Sequence, residues 1–200
     1  MKEMLKNAGI LIAITVIAGF ILGAVYQITK EPIAQAEEKA AMEAYKEVFA
    51  DASDFTETEV SAESVLAEGG YGATDIDKVL EAKGTDGTLL GYVLVITNHE
   101  GYGGDIQFTL GISADGTTNG ISILSISETP GLGMEAENVL KPQFAGKNVE
   151  QFIYTKTGAV SEEQIDAISG ATITTNAVTN GVNAGLYYFR TVLEGGMADE

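Results

Sequence analysis

From Asn7 to Thr29 the chain runs 23 residues without a charge, between Lys6 and Lys30, and the run includes Ile10, Leu11, Ile12, Val16, Phe20 and Leu22. A helix rising about 1.5 Å per residue over that length crosses a hydrocarbon core of about 30 Å. Residues 7–29 are therefore expected to form a transmembrane helix behind a short N-terminus, residues 1–6. Lys2 and Lys6 precede the run and the chain beyond Lys30 is acidic, so the positive-inside rule puts the N-terminus in the cytoplasm and the rest outside. The competing reading is a cleaved signal peptide, since Ala34-Gln35-Ala36 has the small-x-small pattern of a cleavage site. Against it, the run exceeds the ~7–15 residues of a signal core and Ala36 lies well past its end. Gly19 and Gly23 have the spacing through which a second helix packs closely, the plain alternative being a solitary tether.

Charge divides along the same line. The net charge of −18 is +2 on residues 1–30 (Lys2, Lys6 and Lys30 against Glu3), which leaves −20 on residues 31–200. A body this acidic lacks the cations that neutralise phosphate backbones, so no nucleic acid is expected as a partner. The hydrophobic fraction of the whole chain, 45%, is too high for a chain kept unfolded by charge. Cysteine is absent and His99 is the single histidine, which excludes disulfides, thiolate zinc sites, cysteine-bound iron–sulfur clusters and multi-histidine metal sites within this chain.

After Pro32, a favourable first-turn residue, Ile33 to Phe49 is rich in Ala, Glu and Lys and predicts a helix with Ala41, Tyr45, Val48 and Phe49 on one stripe. Asp51 to Glu68 reads as acidic loop with at most one short helix. Residues 30–68 thus form a connector, residues 69–194 a folded domain and residues 195–200 a tail. Fourteen of the 24 glycines lie between Gly69 and Gly133, among β-rich runs. Leu89 to Thr97 is strand-like, and Ile106, Phe108, Leu110 and Ile112 alternate as in a half-buried strand. Ile121 to Ile126 is apolar on both faces and is expected to be central. Asp86-Gly87, Asp115-Gly116 and Asn119-Gly120 supply turns. Ser161 with Gln164 fits a capping box for a short helix. Asn176 to Leu193 predicts a closing helix with Val178, Val182, Leu186 and Phe189 along one face. The expected class is α+β, a mostly antiparallel sheet with helices covering one face.

Two segments carry chemistry. Asp166 to Thr175 reads DAISGATITT, small residues and hydroxyls ahead of a helix, where unpaired N–H groups and the helix dipole favour a phosphate. The plain alternative is that Thr174 or Thr175 merely caps that helix. Glu128 to Gly133 reads ETPGLG, a rigid turn in which Pro130 fixes one torsion while Gly131 and Gly133 admit positive φ or a close approach. On the residues alone it is equally a connector without a ligand.

Asp166-x-x-Ser169-Gly170-Ala171-Thr172 resembles the flavinylation motif of the FMN-binding domain family, found in the G component of Rnf complexes and the C component of Na⁺-translocating NADH:quinone oxidoreductases. The ETPGLG segment, Tyr102-Gly103-Gly104-Asp105-Ile106 and Gln143-Phe144-Ala145-Gly146-Lys147 are similar to further segments of that family. The resemblance covers about residues 97–187, with the anchor in the expected place. It implies covalent FMN, a phosphoester of Thr172 installed by a separate flavin transferase. Asp166, Ser169, Gly170 and Ala171 would serve recognition or phosphate placement, with Thr174 counted beside them. Thr129, Gly131 and Leu132 would border the flavin ring, Leu132 by apolar contact and Thr129 by a polar one.

Lys141 and Lys147 are candidates for positive charge near a reduced flavin, or are simply solvated; His99 is read as an ordinary side chain outside the site. The implied function is that of a membrane-anchored electron carrier in an Rnf-type ferredoxin:NAD⁺ oxidoreductase coupled to Na⁺ or H⁺ transport, working with other membrane and peripheral subunits. Lacking a Rossmann fingerprint and cysteines, the chain would take electrons from those subunits and return them there. The alternatives are the corresponding C component of the quinone reductase or another extracytoplasmic FMN-domain carrier. From a different class, a tethered binding or sensory module without redox chemistry stays open.

Overall fold

A computed structural model describes residues 1–194. They divide into two compact units, the first ending at Met42 and the second beginning at Glu43. The first is wholly helical. Helix α1, Lys2–Val48, contains the entire uncharged run, none of it buried, and it is the one helix among the described residues long and apolar enough to cross a membrane. That is consistent with a single-pass anchor. A helix expected to start afresh after Pro32 instead continues through it. Proline removes one ladder bond, and the Ala-, Glu- and Lys-rich residues beyond it propagate a helix already formed on its N-terminal side.

The second unit is built on a five-stranded antiparallel meander with strand order β1-β2-β3-β4-β5: β1 Asp54–Thr58, β2 Thr74–Lys83, β3 Leu89–Asn98, β4 Ile106–Ser113 and β5 Thr118–Ile126. The short helix α2 is Glu63–Glu68. Helix α3, Ala136–Val139, lies between two single 3₁₀ turns. The three-residue strands β6 (Ile153–Thr155) and β7 (Gln164–Asp166) pair in parallel, and helix α4, Thr172–Tyr188, closes the fold before a π-helical turn at Phe189–Leu193.

The strands lie where expected, at 89–98 and 106–113, but Gly91–Ile96 and Phe108–Ile112 are buried without the alternation of a half-buried strand, because both faces of the sheet are covered. Leu94, Ile96, Phe108 and Leu110 are fully buried beneath α4, together with Val178, Val182, Leu186 and Phe189, as the helical stripe predicts. A Cβ at Gly185 would lie 2.6 Å from Leu110 and 2.8 Å from Ile96, and one at Gly181 2.8 Å from Phe108. The helix therefore meets the sheet through its bare backbone. On the opposite face Val48 sits over Gly111 and Phe49 over Gly91, while the Tyr45 ring packs 5.6 Å from Phe55. The sheet is thus covered by helix on both faces, not on one.

Four local expectations change. Asp54–Thr58, read as loop, pairs with β2 as an edge strand; its polar residues are tolerated because only half of an edge strand is covered. Strand β5 ends the sheet instead of lying in its middle. Its apolar residues are covered because Ala145–Lys147 folds over its start, where Gly146 N–H donates to Thr118 O. The capping box at Ser161 yields no helix: burial of Ile165 in the β6–β7 pair prevails over a run too short to nucleate one. Finally, α4 begins at Thr172, four residues earlier than the predicted Asn176.

Gly185→Val drives two methyl groups into Leu110 and Ile96. Overpacking of this kind costs about 1–3 kcal/mol, so thermal unfolding of the detergent-solubilised chain, followed by circular dichroism, should show a lower Tm than wild type.

Candidate functional site

Antiparallel pairing brings the start of β4 and the end of β5 together, Ile106 opposite Ile126. The loop before β4 and the segment after β5 consequently emerge at the same end of the sheet, and α4 starts there too. Tyr102 from the first, Glu128, Thr129, Leu132 and Gly133 from the second, and Gly170 to Thr174 from the third line a pocket of about 510 Å³. That volume is in the range of about 300–1,000 Å³ typical of small-molecule sites. A larger cleft of about 750 Å³ beside α2 is lined by Glu63, Asp75 and Asp77 and contains none of the motif residues, which meet at the smaller one.

The turn after β5 has the chemistry of a type II turn. Pro130 and Gly131 occupy its centre, Gly131 has φ of 72°, and Leu132 N–H donates to Thr129 O at 3.1 Å. It presents Leu132 over Gly170, where φ is 78° and a Cβ would lie 3.1 Å from the leucine Cδ2. Only glycine suits Gly170 on both counts.

The hydroxyls at the head of α4 differ in their partners. Thr175 Oγ1 donates to Ala171 O at 2.9 Å and accepts from Ile168 N–H at 3.1 Å. Thr174 Oγ1 donates to Glu128 Oε2 at 3.0 Å. Both threonines are buried inside the helix, so neither is its cap; the N-cap position belongs to Ala171, which supplies no side-chain bond. Thr172, the first helical residue, is half-buried, and among the described residues its hydroxyl has no partner. It lies between the main pocket and a smaller hollow of about 170 Å³ lined by Lys156, Ser169 and Gly170 among others. The N–H groups of Thr172, Ile173 and Thr174 precede the first ladder bond, Thr175 N–H to Ala171 O, so the positive end of a 17-residue helix faces this junction.

Of the residues picked from sequence, Thr129, Leu132, Gly170, Ala171, Thr172 and Thr174 meet at the pocket. Gly131 shapes the turn without lining it, and Ser169 lies in the smaller hollow. Asp166 points elsewhere: its Oδ1 accepts from Ala159 N–H at 2.7 Å, and its backbone N–H and C=O are both held by the Gln143 amide. Lys141 bridges Glu47 and Glu137 at 2.8 and 2.5 Å, and Lys147 lies over the Phe152 ring. Neither lines the pocket. Sequence reasoning did not single out Glu128, only 6% exposed yet lining the pocket; the signal was an acidic residue wedged between an apolar strand and a proline turn.

The residues present fit an FMN. A free hydroxyl at a helix N-terminus suits a phosphoryl group, and Tyr102, Leu132 and Ile173 give the adjoining pocket the apolar rim that a flat aromatic ring requires.

Residues 101–187 match the FMN-binding domain, and residues 1–48 match the RnfG N-terminal region. The chain thus carries an FMN-binding domain after an apolar N-terminal helix. The RnfG-type component of the Na⁺-translocating ferredoxin:NAD⁺ oxidoreductase complex of Acetobacterium woodii is 32% identical over 194 residues, covering 94% of this chain and 93% of its own. Its counterpart in the ion-translocating oxidoreductase complex of Methanosarcina acetivorans is 33% identical over 190 residues, covering 94% and 95%. The chain belongs to the RnfG family of ion-translocating Rnf oxidoreductase complexes. Among solved structures, the NqrC-type component of the Na⁺-translocating NADH-quinone reductase of Parabacteroides distasonis superposes with a TM-score of 0.49 at 21% identity, over 70% of this chain and 77% of its own.

His99 lies outside the pocket, its Nε2 3.0 Å from Asp75 and its Nδ1 2.9 Å from Asp105. Hydrogen bonds to Asp75 and then Asp105 raise its pKa above the ordinary value. A raised folded-state pKa stabilises the fold fully below the unfolded value of about 6.5, and that contribution is lost as pH rises through the folded value. Wild-type Tm should therefore decline over that interval, and His99→Gln should remove this part of the decline in a pH series of melting curves.

Proposed function

We propose that the chain is the membrane-anchored flavin subunit of an Rnf-type ferredoxin:NAD⁺ oxidoreductase, carrying FMN as a phosphoester of Thr172 and relaying electrons between sibling subunits. The observation that carries the reading is the open Thr172 hydroxyl at the head of α4, beside a pocket with an apolar rim.

Bound FMN supplies the redox chemistry, and the chain's own residues position it. The three free N–H groups at the head of α4 would hold the phosphoryl oxygens, Leu132 and Ile173 would exclude water from one side of the pocket, and Thr129 would offer a polar contact. Among the described residues no carboxylate is directed at the Thr172 hydroxyl: Asp166 is engaged by Ala159 and Glu128 by Thr174. This favours attachment by a separate flavin transferase, which would bring its own base.

With Lys2 and Lys6 before the apolar run and a body of −20 after it, the N-terminus is cytoplasmic and the flavin domain extracytoplasmic. Electron transfer would be coupled to Na⁺ or H⁺ transport; relatives named for each ion are similar to this chain, those of Acetobacterium woodii and Clostridium ljungdahlii at 32% and 30% identity.

Co-expressed with its flavin transferase and run on a denaturing gel, the wild-type chain should fluoresce as a flavoprotein and Thr172→Ala should be dark. A dark wild-type band under those conditions removes the covalent reading, whereas Thr174→Ala should still fluoresce.

A further inference from the structure

Among the described residues Glu128 is the one acidic residue lining the pocket, and its carboxylate is turned away from solvent. Oxygen Oε1 accepts from Gly103 N–H at 3.1 Å and Oε2 from the Thr174 hydroxyl at 3.0 Å. Glycines make room for it on two sides. A Cβ at Gly101 would lie 2.8 Å from Oε1, and one at Gly133 would lie 2.7 Å from Oε2 and 2.6 Å from Thr174 Oγ1. The carboxylate thus joins the loop bearing Tyr102, the ETPGLG turn and the first turn of α4, the three segments that wall the pocket.

Both hydrogen-bond partners are neutral, so the negative charge is solvated by the protein but not cancelled. A carboxylate is the wrong group to attract a phosphoryl, which argues against a role in capturing the FMN phosphate. Its sign matters instead for electrons. Each electron entering a group in this pocket adds negative charge beside a fixed negative charge, in surroundings that screen less than water.

We propose that Glu128 is a positioning residue of the flavin site which ties its three walls together, and that its charge holds the bound flavin at a lower midpoint potential than a neutral side chain of the same shape. This rests on the flavin reading above.

Glu128→Gln separates charge from shape. The amide oxygen can accept from Gly103 N–H while the amide nitrogen donates to Thr174 Oγ1, so both contacts are kept, the second with donor and acceptor exchanged, and the charge is lost. Glu128→Asp does the reverse, keeping the charge on a shorter arm. Full-length wild type and both variants, loaded by the co-expressed transferase, are compared by mediated redox titration with dithionite as reductant, with in-gel fluorescence to read loading. The expected result is an upward shift of the midpoint potential in Glu128→Gln and a near wild-type potential in Glu128→Asp. A Glu128→Gln potential equal to wild type, or an upward shift as large in Glu128→Asp, overturns the proposal. Where Glu128→Gln takes up no flavin, Glu128→Met, neutral and of similar length, takes its place: an upward shift sustains the role of charge and a wild-type potential overturns it. A wild-type chain that takes up no flavin overturns the flavin reading and this proposal with it; a loaded wild type indistinguishable from Glu128→Gln overturns the role of Glu128 alone.

Discussion

The absence of side chains at Gly181 and Gly185 lets α4 lie with its backbone against Phe108, Leu110 and Ile96. A helix held that close has little freedom to slide or rotate, because the sheet residues beneath it are fully buried and close-packed. The position of its first residue follows. Thr172 therefore emerges where the loop before β4 and the turn after β5 also emerge, and the pocket is a consequence of one helix lying on one meander.

Around that fixed start the polar groups divide the work. Thr175 closes the DAISGAT loop onto the helix by holding Ile168 N–H, and Gln143 clasps the backbone of Asp166 on the loop's other side. The segment is thus restrained from both ends while the Thr172 hydroxyl, without a partner among the described residues, lies between two hollows. The acidic residue of the motif contributes to loop structure through Ala159 rather than to the pocket. The carboxylate that does reach the pocket, Glu128, belongs to the other motif. Two short motifs some forty residues apart are therefore one site, joined by the Thr174–Glu128 hydrogen bond.

Much of this was legible in the residues. A β-rich run marked β3, alternation marked β4, the 3.6-residue stripe marked α4, and the two motifs marked the segments that meet. What was misread shares a physical cause. β1 and β7 are short and bury few side chains of their own, so their strand character comes from the neighbour they pair with. β5 seemed central because its apolar residues gave no hint that the Ala145–Lys147 segment would cover them. Thr174 and Thr175 resembled caps because hydroxyls near a helix start usually are; the extra helical turn back to Thr172 converted them to buried links.

By itself, the sequence determined the long apolar N-terminal helix, the acidity of the body after it, the α+β class, and the two motif segments that turn out to meet, because length, charge and periodicity are properties of neighbouring residues. Only the tertiary structure decided that α1 runs unbroken through Pro32, that Thr172 and not Thr174 presents the open hydroxyl, that Lys141 is engaged by Glu47 and Glu137, and that Glu128 is a pocket wall. Those outcomes depend on partners distant in the chain, and a hydrogen bond between residues 128 and 174 leaves no periodic trace in either segment.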